Sequence, residues 1–284
     1  MKKACLIISI LIFVLIILSV GLSVIGKRVP LVDRVAIVRI EGTIVGSQSV
    51  IDQLKEYSKD PSVKAVVLRI NSPGGAVAPS QEIFEEVKKL RENKPVVVSM
   101  GALAASGGYY ISAPATKIYA NPGTITGSIG VIMEIPNLKG LMDKVGIKTE
   151  VIKSGKHKDL ASVFRGIGEE ERKILQGVLD DVHDQFIKAV AEGRKLPYDK
   201  VKSIADGRIF TGRQAKEIGL VDEIGNIEDA IREAARLGGI EGEPHIVEKE
   251  EKPSILDYLT GKVAEQYKTL LDTTISVKYL LYLK

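Results

Sequence analysis

A chain of 284 residues with 45% apolar content carries enough hydrophobic material for one large domain or two small ones. Its 40 basic residues against 36 acidic ones leave a net charge of +4, too nearly balanced for a surface built to hold phosphate backbones, so nucleic acid is excluded as a partner. The single cysteine, Cys5, excludes an internal disulfide and a cysteine-based metal cluster.

Ala4 to Gly26 is an almost unbroken apolar run, with Lys2 and Lys3 before it and Lys27 and Arg28 after it. As a helix it would reach roughly 34 Å, enough to cross a ~30 Å hydrocarbon layer. A cleaved secretory signal is the competing reading, although its apolar part should span roughly 7–15 residues before a small-x-small site. Ser19-Val20-Gly21 could serve as that site. The length favours a retained transmembrane helix that makes membrane lipid a partner, and basic residues on both flanks leave its orientation open.

Beyond the anchor, Arg34 to Ile40 reads as a strand and Val50 to Tyr57 as a short helix. Val63 to Ile70 is a second strand, ending in Asn71-Ser72-Pro73-Gly74-Gly75. Ile83, Val87 and Leu90 give Gln81 to Arg91 a helical period, and Pro95 to Met100 follows as an apolar strand. The alternation continues with a helix at Ser106 to Ala113, a strand at Lys117 to Ala120, a helix at Leu138 to Val145 and a strand at Lys148 to Ile152. Such an order calls for parallel strands joined by helical crossovers, hence an α/β core.

Gly168 to Gly193 carries Ile174, Leu175, Val178, Val182, Phe186, Ile187 and Val190 on one face, an amphipathic helix expected to pack across that core. Shorter helices are expected near Tyr198 to Ala205, Gly212 to Gly219 and Ile227 to Leu237. Glycines and charges from Gly238 to Lys252 read as a linker. Ile255 to Lys284 then offers Leu256, Leu259, Val263, Tyr267, Leu270 and Leu271, and ends in an apolar run. That tail suits a membrane-surface helix, an oligomer contact, a flexible extension or packing on its own domain.

Two glycine motifs lie one βα unit apart. In Ser72-Pro73-Gly74-Gly75, proline and glycine stand where a type II turn wants them, so a plain tight turn is one reading. The other is that adjacent glycines at a strand end let a carbonyl approach main-chain N–H groups, half of an oxyanion site. A phosphate loop is disfavoured, because at Gly155-Lys156 the next residue is His157 and Glu150 stands where the first glycine belongs. Ala104-Ala105-Ser106-Gly107-Gly108 resembles a nucleophile elbow with Ala104 replacing the first glycine. There the Gly107 N–H would favour negative charge beside the Ser106 oxygen; a serine N-cap with closely packed glycines is the alternative. Neighbouring parallel strands would bring both motifs to one crevice.

A catalytic serine needs a base, and none of His157, His183 and His245 is well placed for one. His183 falls within the long helix and His245 in the linker, while His157 belongs to the basic segment Lys153-Ser154-Gly155-Lys156-His157-Lys158-Asp159. That segment reads as a solvated loop, or as the source of a lysine base whose pKa must fall from ~10.4 toward ~7–8.

Asn71-Ser72-Pro73-Gly74-Gly75, Ala105-Ser106-Gly107-Gly108-Tyr109-Tyr110, Thr126-Gly127-Ser128-Ile129-Gly130 and Lys153 to Asp159 occur in that order. From about Val35 to Leu237 the chain thereby resembles the protease-IV-type serine proteases, in the short single-copy form of the signal peptide peptidase A family. The resemblance implies a Clp protease/crotonase-like fold of repeated β-β-α units. Residues 1–28 would be the anchor, 29–240 the protease domain, and 241–284 a linker with an amphipathic extension. It also implies Ser106 as nucleophile, Lys158 as general base, Ser128 as the residue orienting that lysine, and Gly107 with Gly74 as oxyanion donors; Gly75 could replace Gly74. No metal or cofactor is implied. The implied substrates are remnants of cleaved signal peptides and misfolded exported proteins, and the implied setting is a homo-oligomeric ring in the cell membrane, single-pass, with an extracytoplasmic catalytic domain. Small or aliphatic side chains are expected before the cut. Two alternatives stand beside this: a crotonase-like acyl-CoA enzyme, usually reliant on a glutamate, and a non-catalytic membrane ring scaffold.

Overall fold

The β-branched runs of the sequence form the strands of a mixed sheet in the computed structural model, which describes residues 12–14, 32–249 and 278–281. The chain divides into two compact units, Met1–Asp33 and Arg34–Lys284. In the first, residues 12–14 are helical, and the rest of the expected transmembrane segment lies outside the described residues. Among the described residues no helix is long and apolar enough to cross a membrane.

The second unit begins with β1 (Arg34–Glu41), α1 (Gln48–Lys59) and β2 (Val63–Ser72), followed by the short β3 (Gly74–Ala76) and α2 (Val77–Asn93). Helix α2 starts four residues before the expected position, and Pro79 falls in its first turn, where a missing N–H is tolerated. Next come β4 (Val96–Ala105), α3 (Gly107–Ser112), β5 (Lys117–Ala120), β6 (Ile125–Gly127) and α4 (Lys139–Val145). The chain continues through α5 (Glu169–Arg194), α6 (Tyr198–Ile204), β7 (Ile209–Thr211), α7 (Gly212–Ile218), β8 (Glu223–Ile224), α8 (Ile227–Leu237), β9 (His245–Glu248) and β10 (Lys278–Leu280).

Strands pair in the order β7-β6-β4-β2-β1-β9, with β5 against β4 and β8. Every one of these pairs is parallel except β6 with β7. Parity along the strands decides what each face buries. Ala36, Val38, Ile40, Leu68, Ile70, Val98 and Met100 face the main core, which also takes Phe84, Tyr110 and Phe186 from α2, α3 and α5. The intervening Val35, Ile37, Ala65, Val67 and Val97 pack under Ala230, Ile231, Ala234 and Ala235 of α8.

Strand β4 is longer than its apolar run predicts. Its first half pairs with β5 and its second half with β6, and the register against β2 slips between Ile70 and Ser72. Asn71 covers the slip by accepting the Leu103 N–H at 3.2 Å. The ends of β2, β4 and β6 therefore converge on one rim, where ligand sites of open α/β sheets lie.

Three expectations change. Residues 148–152 form no strand: Val151 and Ile152 are exposed, and no described strand offers that segment a ladder. In α5 only the second half buries its apolar stripe, through Phe186, Ile187 and Val190, while Ile174 and Val178 stay exposed. Within the stretch read as a linker, β9 adds to the sheet edge beside β1. Of the amphipathic extension, only 278–281 belongs to the described residues.

Candidate active site

Ser106 sits at the turn between β4 and α3 with φ 53° and ψ −117°, a backbone conformation that costs a non-glycine residue about 1–3 kcal/mol. Two main-chain bonds hold it there: its N–H donates to the Gly127 carbonyl at 2.8 Å, and its carbonyl accepts from Tyr110 N–H at 2.8 Å. The residue is 1% exposed. Small neighbours make the turn feasible, since a Cβ on Gly108 would lie 2.9 Å from the Ser72 carbonyl oxygen.

The Pro-Gly-Gly turn packs directly against this elbow. A Cβ on Gly107 would lie 3.1 Å from the Gly75 nitrogen and 3.2 Å from Gly74 Cα, so the two glycine strips touch backbone to backbone. Gly74, at φ +98°, has its N–H bound to the Ser72 hydroxyl at 3.1 Å. Gly75 is wedged on its far side by Ile44, whose carbonyl oxygen would stand 2.0 Å from any Cβ. Main-chain bonds from Ile44 N–H to Gly74 and from Ala76 N–H to Ile44 fix that contact at 2.9 and 2.8 Å.

Ser128 lies on the same rim, just past β6, buried and again with positive φ of 52°. Its N–H donates to the Arg208 carbonyl at 2.8 Å, and Thr126 beside it bonds the Ala104 carbonyl at 2.6 Å. Ser128 lines a cavity of about 490 Å³ together with Ile132, His183, Leu280 and Leu281. His183, set aside from the sequence as a helix residue, thus borders the cavity next to the rim, with its Nε2 buried and unpartnered. Its position within α5 carried no sign of this.

Lys158 is placed differently. It is exposed in a run of turns, its N–H bonded to the Gly155 carbonyl at 3.1 Å, and its ammonium bonds no described residue. The structure joins Ser106, Gly74, Gly75, Gly107 and Ser128 at one rim, while Lys158 stands exposed in the turns at 154–161 and is hydrogen-bonded to none of them. Around Lys158 the loop is tied down by charge. Asp159 accepts from Arg165 at 2.8 Å and from Lys153, and Arg165 continues to Glu171 at 2.5 and 2.7 Å. Lys156 and His157 meet Glu170. The hydrogen bonds from Arg165, then Lys153, hold the Asp159 carboxyl well below its ordinary range. The bond from Arg165, helped by the Gly168 N–H, brings Glu171 down to about 2.

A segment absent from the sequence-derived site occupies the rim. Strand β10 pairs antiparallel with β3, setting Lys278 opposite Ala76, Tyr279 opposite Gly75 and Leu280 opposite Gly74. On its other edge, Lys278 and Ile132 exchange N–H···O bonds at 3.1 Å each, and Leu281 N–H reaches the Pro73 carbonyl at 2.8 Å. Tyr279 is fully buried, its ring centroid 5.1 Å from Tyr110 and 4.6 Å from Phe186. The apolar run Tyr279 to Leu283 was the signal available in the sequence, and it pointed to a membrane or a partner as readily as to the rim. Among the described residues no cluster of side chains suits a metal ion.

Comparison with known proteins adds to this geometry. Residues 88–241 match the family model of Peptidase family S49, and residues 31–126 match that of Clp protease. A protein described as a protease in Synechocystis is 44% identical over 84% of this chain and 87% of its own length. A described signal peptide peptidase of Enterococcus faecium is 45% identical over 65% of this chain and 54% of its own. Protease 4 of Salmonella typhi is 36% identical over 81% of this chain, which spans 37% of that longer protein.

Proposed function

The chain belongs to peptidase family S49 and is a serine-type peptidase, and we propose that it is a membrane-anchored Ser/Lys endopeptidase of apolar peptides, among them remnants of signal peptides. Ser106 is the nucleophile of this reading. The observation that carries it is the buried, strained serine whose following glycine packs its backbone against that of Gly74 and Gly75. Strain of that kind persists where surrounding structure over-determines it, which is characteristic of reactive centres.

In the reaction, Ser106 Oγ gives its proton to the neutral amine of Lys158 and attacks the scissile carbonyl. The resulting oxyanion is held by main-chain N–H groups of Gly107 and the Pro-Gly-Gly turn. We assign the second donor to Gly75 rather than Gly74, because the Gly74 N–H already serves the Ser72 hydroxyl. Lys158 then protonates the leaving amine, and water activated by the same base resolves the acyl-enzyme. Ser128, buried on the rim, accepts or donates to the lysine and sets its angle. Crotonase-like acyl-CoA chemistry and a silent scaffold lose their footing once the chain is a peptidase.

Lys158, exposed and bonded to none of the rim residues, is in this reading supplied by a second copy of the chain. The arm that carries it exposes Leu141, Val145, Ile147, Val151, Ile152 and Phe164, and the open half of α5 adds Ile174 and Val178. Such an apolar surface is what a neighbouring subunit would cover. A homo-oligomeric ring in which each arm serves the next chain's rim satisfies both the exposed apolar groups and the missing base. The ring would sit on the membrane through the apolar segment at 4–26, with its catalytic domain extracytoplasmic. Labelling with a serine-directed fluorophosphonate tests the nucleophile: Ser106 is modified in the wild-type chain, and an unlabelled Ser106 in a folded particle overturns the reading.

A further inference from the structure

The turn that carries Lys158 is built around one guanidinium. Arg165 Nε donates to the Asp159 carboxylate at 2.8 Å. One terminal nitrogen donates to the Asp159 carbonyl at 3.0 Å and to Glu171 at 2.5 Å, the other to Glu171 at 2.7 Å and to the Gly166 carbonyl at 3.0 Å. Every N–H of the fork is thereby engaged. Glu171 also accepts the Gly168 N–H at 3.0 Å, so Arg165 ties the residue next to Lys158 to the first turn of α5. Within the turn, Lys158 N–H bonds Gly155 and Leu160 N–H bonds His157. Ala161 beside them is 2% exposed and sits at φ 60°, a left-handed conformation that a non-glycine residue keeps only where its surroundings hold it.

The other cations of the segment are paired. Asp159 also takes Lys153, and Glu170 takes Lys156 and His157, whereas the Lys158 ammonium meets no carboxylate among the described residues. A free carboxylate beside that amine would favour its charged form, the opposite of what a general base working near neutrality needs. On the rim side, the cavity shared with Ser128 is bordered by Asp180, His183 and Asp206; Asp180 accepts from Gln176 at 2.7 Å and Asp206 from Arg208 at 2.7 Å. Asp159 and Glu171 are therefore the carboxylates whose availability depends on Arg165.

We infer that Arg165 is the positioning residue of the base: it fixes the turn that presents Lys158 and withholds Asp159 and Glu171 from the lysine amine. This deepens the Ser/Lys reading and rests on Lys158 being the base; Arg165 itself touches neither substrate nor the reacting atoms. With the fork in place, the amine reaches a rim with no carboxylate of its own arm attached and can lose its proton there. Without it, the freed carboxylates pair with the ammonium and keep it protonated to higher pH.

The test follows kcat, KM and the pH profile of kcat/KM on a coumarin-amide of an apolar peptide, using the full chain in detergent with its assembly checked by sedimentation. Arg165→Gln should lower kcat at least about tenfold near neutrality with KM little changed, and move the acid limb up by about one unit or more. Adding Asp159→Asn and Glu171→Gln to that variant should bring the limb back to its wild-type position. An assembled Arg165→Gln with wild-type kcat and limb overturns the inference, and so does a loss equal at every pH that neutralising the two carboxylates leaves untouched. Should Arg165→Gln not assemble, Arg165→Lys decides: it keeps a cation against the carboxylates but lacks the fork, so kcat should fall several-fold with the limb unmoved. A displaced limb or wild-type kcat there overturns the inference. If Lys158→Ala still turns the peptide over, the assignment of the base falls and the inference with it; an inactive Lys158→Ala beside an unaltered Arg165→Gln sinks the inference alone.

Discussion

The rim and the arm are built by opposite means. Ser106, Gly75, Gly107 and Ser128 are held by main-chain bonds and backbone contacts inside a close-packed core, so their geometry is set when the sheet forms. The segment carrying Lys158 is held by ion pairs of exposed or half-buried side chains, with its apolar residues turned outward. One half of the proposed chemistry is pre-organised within the chain. The other half, in the proposed ring, is presented to a neighbouring chain.

Substitutions sharpen that contrast, beginning with the largest effect. Ser106→Ala and Lys158→Ala should each lower kcat/KM for an apolar peptide by roughly 10³-fold or more, with unchanged circular dichroism. Turnover near wild type in either variant would break the assignment. Gly75→Ala should come next and differ in kind: a Cβ 2.0 Å from the Ile44 carbonyl forces the turn to shift, so activity falls about 10²-fold and thermal stability falls with it. An equivalent small substitution on the arm, Gly155→Ala, has nothing within 4 Å and should leave the melting temperature unmoved.

Ser128→Ala should cost about tenfold in kcat, because the residue orients the base rather than reacting. The smallest effect is one of pH. Asp159 and Glu171 have folded pKa values depressed by Arg165, so their pairing holds the arm above the ordinary carboxylate range of ~4 and is lost as pH falls from there through about 2. Hydrogen exchange should show residues 153–171 losing protection over that window while β4 keeps its own. Simultaneous loss in both regions would mean that the arm is not a separate unit.

What the sequence made legible follows the same division. The Ser-Gly-Gly elbow and the Pro-Gly-Gly turn were readable because tight backbone approaches restrict residue type, whereas an N-cap stayed an equal reading of Ser106 and Ser128 entered only through the family resemblance. The strand expected at 148–152 failed because β-branched residues signal a strand only where a ladder is on offer, and here Ile152 is fully exposed. The long stripe of α5 was half misread, since periodicity reveals an apolar face without saying whether this chain or another covers it. The choice between Gly74 and Gly75 depended on the Ser72 hydroxyl, and β10 on a pairing some 200 residues apart in sequence; neither leaves a local pattern.

In the proposed ring the serine of one chain is completed by the lysine of another. This is tested by refolding Ser106→Ala and Lys158→Ala chains together, each inactive alone, and measuring peptide turnover of the mixed particles. Recovery to roughly a quarter of wild-type activity is expected, as random neighbours in a closed ring would give. Mixed particles that contain both chains and remain as inactive as either parent would contradict it.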